Sequence, residues 1–168
     1  MSRIRALLAL AVAAGATAAW AGSASSTFTV TGTVAANCNI STVGITFAYD
    51  PVGANATTNA TASGSVTIGC TKGSAPSIGL SAGSNSAAAA GLTPSAPRAM
   101  RQGATANYLG YDIYWPGTTT SWTLASPYVP SAPTSKATRT FNMDGVVFAN
   151  QDVAVGTYTD SVTATVNF

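Results

Sequence analysis

The chain has 168 residues, of which 46% are hydrophobic, only 7% are charged and none is histidine. The chain has seven basic and five acidic residues, so it lacks the strong positive charge that is typical of proteins that bind nucleic acids. Because histidine and glutamate are both missing, there is no Ser–His or Cys–His pair, no imidazole metal ligand and no glutamate general acid. We therefore expect no enzyme, no metal site and no cofactor.

The first 21 residues have the features of a secretion signal. Arg3 and Arg5 form a positive start, residues 6–19 form an apolar run too short to span a bilayer comfortably, and residues 19–21 (Ala-Trp-Ala) form a small-residue cleavage site. We predict cleavage after this triplet, with an uncleaved anchor as the alternative. Cleavage removes two of the seven basic residues and leaves five against five acidic ones, so the mature chain is formally neutral.

An alternating segment, residues 27–34, follows a flexible stretch of small residues. Strict alternation of apolar and polar residues is typical of a strand with one buried face. The apolar face carries Phe28, Val30 and Val34, with Gly32 between the last two. A terminal strand on a flexible leader can insert into another molecule as easily as into its own sheet. Together with a predicted strand that ends the chain, this suggests a subunit that polymerises by lending a strand.

Two cysteines, Cys38 and Cys70, remain after the signal. In an oxidising compartment we expect one disulfide, which closes a loop of about 33 residues and stabilises the fold by roughly 3–4 kcal/mol. Cys70 alternates with Val66 and Ile68 on the same face of a predicted strand, so it should point inward. The bridge would then join two strands through the core. Two thiols alone supply only half of a zinc site.

Short β-branched or aromatic runs, separated by Gly, Pro, Asn and Ser, predict an all-β chain without helical periodicity after the signal. The predicted strands are residues 28–34, 37–40, 45–47, 65–70, 77–81, 108–114, 141–148 and 158–168. A run of four alanines at residues 87–90 can form only a short helical turn between its proline and glycine neighbours. About seven short strands with one disulfide favour an immunoglobulin-like β-sandwich over a closed barrel.

The last predicted strand carries an apolar face with one charged residue in it. The inward set is Tyr158, Val162, Ala164, Val166 and Phe168. Asp160 lies on the same face, where a solvated charge is unusual. We expect it either at the mouth of the strand or hydrogen-bonded to a partner such as an arginine.

Aromatic residues in the second half of the chain allow two interpretations. Tyr111 shares a strand face with two aliphatic residues, so we predict that it is a core residue. Trp115, Trp122 and Tyr128 can form either the core and rim of a sandwich or a sugar-stacking platform. A secreted carbohydrate-binding module is therefore one alternative function.

Several motifs, taken in chain order, resemble one known family. They are residues 38–41 (Cys-Asn-Ile-Ser), 45–51 (Ile-Thr-Phe-Ala-Tyr-Asp-Pro), 64–73 (Gly-Ser-Val-Thr-Ile-Gly-Cys-Thr-Lys-Gly), 109–114 (Leu-Gly-Tyr-Asp-Ile-Tyr) and 156–162 (Gly-Thr-Tyr-Thr-Asp-Ser-Val). In this order and with this cysteine spacing, they resemble the spore coat protein U-like domain of archaic chaperone–usher pilins. Ala48 is a departure, since the family usually has glycine there. The resemblance implies a donor-strand extension at residues 22–36, followed by one incomplete pilin domain at residues 37–168.

The resemblance also implies a mechanism of assembly. Subunits of this family lack their last strand and expose an apolar groove with an unpaired edge, which a periplasmic chaperone covers. At an outer-membrane usher, the N-terminal strand of the next like subunit replaces the chaperone strand, a known form of strand addition. The implied donor residues are Phe28, Val30, Gly32 and Val34, and the implied acceptor edge is residues 158–168, including Asp160.

The function implied by the resemblance is that of a structural subunit of an extracellular fibre. Such a subunit passes through the periplasm to a cell-surface pilus and serves adhesion and biofilm formation. Its partners are like subunits, the chaperone and the usher, and it binds no nucleic acid. A spore or cell-coat protein of the same fold is the alternative within this structural class.

Overall fold

The structure is a computed structural model that describes residues 21–168. The predicted signal therefore lies outside the described residues, except for its last residue. The chain divides into two units, residues 1–33 and residues 34–168. Within the first unit, residues 21–33 form neither helix nor strand and are exposed. The prediction of a strand at residues 28–34 is therefore wrong for this chain taken singly, because an alternating segment becomes a strand only beside a hydrogen-bonded neighbour.

The second unit contains two antiparallel sheets. Its elements are β1 (Cys38–Val43), β2 (Ala60–Cys70), β3 (Ser77–Leu80), α1 (Ser86–Ala89), β4 (Arg98–Gln102), β5 (Tyr108–Tyr114), β6 (Arg139–Val147), β7 (Tyr158–Thr159) and β8 (Ala164–Asn167). Six strands form one sheet in the order β1-β2-β6-β5-β4-β7, and β3 pairs with β8 in the other. This confirms the predicted all-β sandwich. Among the described residues, no helix is long and apolar enough to cross a membrane.

The core lies between the two sheets and follows the alternation of the strands. In β2, Val66, Ile68 and Cys70 are buried, while the residues between them are half-buried. Ile78 of β3 is also completely buried, and Tyr111 of β5 is 4% exposed. The prediction that Tyr111 belongs to the core is therefore confirmed.

The aromatic residues Trp115, Trp122 and Tyr128 pack against one another. The ring centroid of Tyr128 lies 6.0 Å from that of Trp115 and 5.5 Å from that of Trp122. Trp122 is completely buried, and its indole N–H donates to the carbonyl oxygen of Ile78 at 2.6 Å. Since its ring faces are used inside the protein, Trp122 is not available to stack on a sugar.

The disulfide between Cys38 and Cys70 is present, as predicted. The two residues lie directly opposite each other in the ladder of β1 and β2. The bridge therefore joins neighbouring strands of one sheet, and the expectation that it would cross the core is wrong. Side-chain parity indicated which way Cys70 points but not which strand lies beside it.

Three further differences separate the predicted strands from those in the structure. β4 was not predicted, because Arg98, Arg101 and Gln102 give it a polar sequence. Residues 45–47 belong to no strand. The single strand expected at residues 158–168 is divided into β7 and β8, which pair in different sheets.

Candidate functional site

A groove of about 920 Å³ opens on the second unit. Its first wall comes from residues 44–49, which follow β1, and its second wall comes from residues 153–164, which include β7 and the start of β8. The floor consists of core side chains from β3 to β6, namely Leu80, Met100, Leu109, Tyr111, Ile113 and Met143. The groove is therefore an elongated opening into the core of the sandwich.

The first wall is extended but has no partner strand. Ile45, Phe47 and Tyr49 are half-buried and alternate with exposed residues, as in a strand with one inward face. Residues 45–49 make no backbone-to-backbone hydrogen bond within the part of the chain that the structure describes. Their N–H and C=O groups are therefore available to a neighbouring strand.

Side chains rather than backbone bonds hold the first wall. A Cβ atom on Gly145 of β6 would lie 2.6 Å from Cζ of Phe47 and 3.0 Å from Cγ2 of Ile45. The missing side chain at Gly145 thus makes room for both residues on the sheet. At the end of the wall, the backbone N–H of Gln151 donates to the hydroxyl oxygen of Tyr49 at 3.0 Å.

The second wall also has an open edge. β8 pairs with β3 on one side, and these two strands form a sheet of their own. The other side of β8 has no ladder neighbour among residues 21–168. The groove thus lies between residues 45–49 and residues 153–164, and neither residues 45–49 nor the outer side of β8 has a ladder neighbour among residues 21–168.

The residues of the predicted acceptor edge lie in different environments. Tyr158, Asp160, Val162 and Ala164 line the groove and are half-buried. Val166 is half-buried near the end of β8, and Phe168 is 52% exposed. Four of the six therefore come together in the groove.

Asp160 is the only charged residue that lines the groove within the described chain. Its Oδ2 atom accepts a hydrogen bond of 2.7 Å from the hydroxyl of Tyr111. Burial, and then this bond to the carboxylate, raise the pKa of Tyr111 above its ordinary value of 10.0. Asp160 thus has a hydrogen-bonded partner, as expected, but that partner is a tyrosine and not an arginine.

The structure also contains a buried ion pair that the sequence analysis did not identify. Nη1 of Arg98 and Oδ1 of Asp112 are 2.7 Å apart, and both side chains are almost fully buried. The guanidinium also donates to the carbonyl oxygens of Ser81 and Trp122. The sequence carries little signal of this pair, because Asp112 lies in an apolar run but Arg98 lies in a polar one.

The predicted donor residues are exposed. Phe28, Val30 and Val34 are 87%, 83% and 84% exposed, respectively, and Gly32 is also exposed. Large apolar side chains with this exposure are unfavourable in water, and three of them lie within seven residues of one exposed segment.

Comparison with known proteins identifies a family and a fold. Residues 24–165 match the family model described as the Spore Coat Protein U domain. A search of the curated proteins found no match.

One similar solved structure is the "CsuC-CsuE chaperone-tip adhesion subunit pre-assembly complex from archaic chaperone-usher Csu pili of Acinetobacter baumannii". The TM-score is 0.56 at 19% identity, over 81% of this chain and 41% of that chain. The chain thus spans about two fifths of the solved chain, and the likeness shows a shared fold.

Proposed function

The chain belongs to the Spore Coat Protein U domain family, and from that premise we propose that it is a non-enzymatic structural subunit of an extracellular fibre. In the fibre, the groove of one copy holds residues 22–36 of a second copy as an added strand. The observation that carries this proposal is a groove with an apolar floor between residues 45–49 and β8, each of which has an edge without a ladder neighbour among residues 21–168.

The chemistry of the donor segment fits such a groove. A strand between the two walls can hydrogen-bond to residues 45–49 on one side and to β8 on the other. Its inward face then meets the apolar floor. Burying an exposed Phe or Val side chain contributes roughly 1.5–3 kcal/mol, against which the ordering of the donor backbone must be set.

An open groove would also give the subunit a need for help before assembly. An open sheet edge beside an apolar cleft favours uncontrolled pairing with other chains. We infer that a periplasmic chaperone covers the groove and that an outer-membrane usher exchanges the chaperone strand for the donor segment. The similar solved structure is itself described as a chaperone–subunit pre-assembly complex. The site of action is then the cell surface, in adhesion and biofilm formation.

Deleting residues 22–34 tests the proposal directly. We expect the shortened subunit to be secreted, disulfide-bonded and bound by the chaperone, but unable to form fibres, because no copy can lend a strand. Electron microscopy of cell-surface material gives the measurement. The control replaces residues 22–26 with a Gly/Ser leader of equal length and should still form fibres. Fibres of normal length from the deletion variant would refute the donor assignment.

A further inference from the structure

The chain crosses from one sheet to the other within the second wall of the groove. β7 pairs with β4 in the larger sheet, whereas β8 pairs with β3 in the smaller one. Both ladders are short, since β7 has two residues and β8 has four. At its far end the crossover, residues 160–163, is held by two hydrogen bonds between Thr163 and Ser81, whereas its start lies beside the two-residue ladder of β7.

Asp160 begins the crossover, and its carboxylate accepts four hydrogen bonds. The Oδ1 atom accepts from the backbone N–H groups of Ser84 and Ser161, both at 2.8 Å. The side-chain amide of Asn85 also donates to Oδ1, at 3.1 Å, and the hydroxyl of Tyr111 donates to Oδ2. The donors belong to the loop after β3, to the crossover and to β5, so one side chain connects both sheets.

The backbone around this carboxylate is closely fitted to it. Gly83 has a φ of +84°, and a Cβ atom there would overlap Oδ2 of Asp160. Position 83 thus requires glycine for its conformation and for space. All four donors are neutral, and the ion pair found within residues 21–168 is elsewhere, between Arg98 and Asp112. Oriented dipoles, rather than a cation, stabilise the charge of Asp160.

A strand in the groove would cover Asp160 and Tyr111, since both line it. Covering an unsatisfied carboxylate is unfavourable, but here protein donors already occupy both oxygen atoms. The covering strand therefore need not supply a hydrogen bond at this point.

We propose that Asp160 is a positioning residue for strand acceptance: through Tyr111 and the loop after β3, it holds the crossover so that the open edge of β8 faces an incoming strand. This inference rests on the proposed function and adds a specific role to one residue of the groove. The role depends on hydrogen-bond geometry, and the negative charge itself is not required.

The test measures the rate at which the purified chain, from Gly22 onwards, takes up a fluorescently labelled peptide of residues 22–36. The variants are Asp160→Ala, Asp160→Asn and Tyr111→Phe, and the control is Asp152→Ala, which changes an exposed acid outside the crossover. In Asp160→Asn, the amide oxygen still accepts from the backbone N–H groups, and the amide nitrogen can donate to the hydroxyl oxygen of Tyr111.

We expect Asp160→Ala to slow uptake by about tenfold or more, since it removes hydrogen bonds to a charged group. We expect Tyr111→Phe to slow uptake by about threefold, because it removes one such bond without leaving a void. Asp160→Asn and Asp152→Ala should stay within about twofold of the original rate. Circular dichroism and disulfide content, measured at the same temperature, check that each variant is folded. A slower uptake then cannot result from unfolded protein.

The outcomes separate the two proposals. If the original chain takes up the peptide, and Asp160→Ala and Tyr111→Phe take it up at the same rate as the original chain, only the positioning role is overturned. An Asp160→Asn variant as slow as Asp160→Ala overturns the geometric explanation. If Asp160→Ala does not fold, Tyr111→Phe decides between these results. If the original chain assembles with itself instead of taking up the peptide, the rate of self-assembly replaces the uptake rate in the comparison. If it neither takes up the peptide nor assembles with itself, the proposed function and the inference are both overturned.

Discussion

At the scale of single residues, the buried Arg98–Asp112 pair is the most unusual feature of this protein. Few charged residues are present, yet one pair lies almost completely inside the sandwich. Burying two charges is unfavourable unless their remaining hydrogen-bonding groups are satisfied. Here Arg98 reaches two backbone carbonyl oxygens, and Asp112 also accepts from the hydroxyl of Ser121 at 3.0 Å. The pair therefore connects β4 and β5 to the chain that follows β3.

Breaking this pair from one side should strongly destabilise the fold. In Asp112→Ala, the guanidinium of Arg98 stays buried without its counter-charge, and we expect the free energy of unfolding to fall by roughly 3–5 kcal/mol. Urea denaturation of the purified chain measures the change. The control Asp152→Ala removes an exposed acid and should change the stability by about 0.5 kcal/mol or less. A loss below about 1 kcal/mol in Asp112→Ala would contradict a structural role for the pair.

The raised pKa of Tyr111 predicts how the free energy of unfolding depends on pH above pH 10. Its pKa is raised in the folded chain, first by burial and then by the bond to Asp160, from an ordinary value of 10.0. The stabilisation is therefore fully present below pH 10 and is lost as the pH rises above it, because only the unfolded chain releases this proton there.

We expect the free energy of unfolding to fall above pH 10, with Tyr111 contributing up to about 1.4 kcal/mol per pH unit. Tyr111→Phe should remove that contribution and give a shallower slope between about pH 10 and pH 11.5. Urea denaturation at a series of pH values gives the slopes. Tyr108→Phe is the matched control, since the hydroxyl of Tyr108 makes no hydrogen bond within residues 21–168. Equal slopes for the original chain and Tyr111→Phe would refute the prediction.

At the scale of elements, the two walls of the groove are held in different ways. The second wall has the ladder of β8 with β3 and the hydrogen bonds of Asp160. The first wall, residues 45–49, depends on Ile45 and Phe47, which rest on the bare backbone of Gly145. The shape of the first wall is therefore sensitive to volume at one position of β6.

A single methyl group at Gly145 should displace the first wall. We expect Gly145→Ala to lower the free energy of unfolding by about 1–3 kcal/mol, because the new Cβ atom overlaps Cζ of Phe47 and β6 cannot move away. Thermal or urea unfolding measures the loss. Gly44→Ala is the control, since a Cβ atom there meets no atom within 4 Å. Equal stabilities for the two variants would show that Phe47 does not rest on Gly145 in solution.

At the scale of the whole molecule, the second unit is a sandwich with a position left open for one more strand. Its six-stranded sheet and its two-stranded sheet enclose a common core, and the groove exposes one side of that core. Low charge leaves little electrostatic repulsion between copies, which suits a protein that assembles with itself. Completion of the sandwich by a second copy would therefore bury the remaining apolar surface.

A charge on the apolar face of the donor segment should prevent this completion. We expect Val30→Asp to abolish fibres while the disulfide-linked fold persists, because an unpaired carboxylate would have to enter an apolar groove. Electron microscopy counts fibres, and a non-reducing gel reports the disulfide. Thr31→Asp, which places the same charge on the opposite face, should retain fibre formation. Normal fibres from Val30→Asp would exclude an inward position for this residue.

Local patterns in the sequence were sufficient for features that depend on neighbouring residues along the chain. Alternation predicted β2 and β5, their side-chain alternation indicated that Tyr111 and Cys70 point inward, and two cysteines after a predicted secretion signal predicted the disulfide. The polar strand β4 was missed, since Arg98 becomes a core residue only through Asp112, which is 14 positions away in the chain.

The sequence by itself determined that this protein is an all-β, disulfide-linked sandwich with an alternating segment near its N-terminus, because side-chain periodicity and compartment chemistry are local properties. Only the tertiary structure decided which strands have neighbours. It left residues 45–49 without a ladder and moved the chain from one sheet to the other at Asp160. The groove results from that pairing, since hydrogen bonds between strands join residues that are distant in sequence.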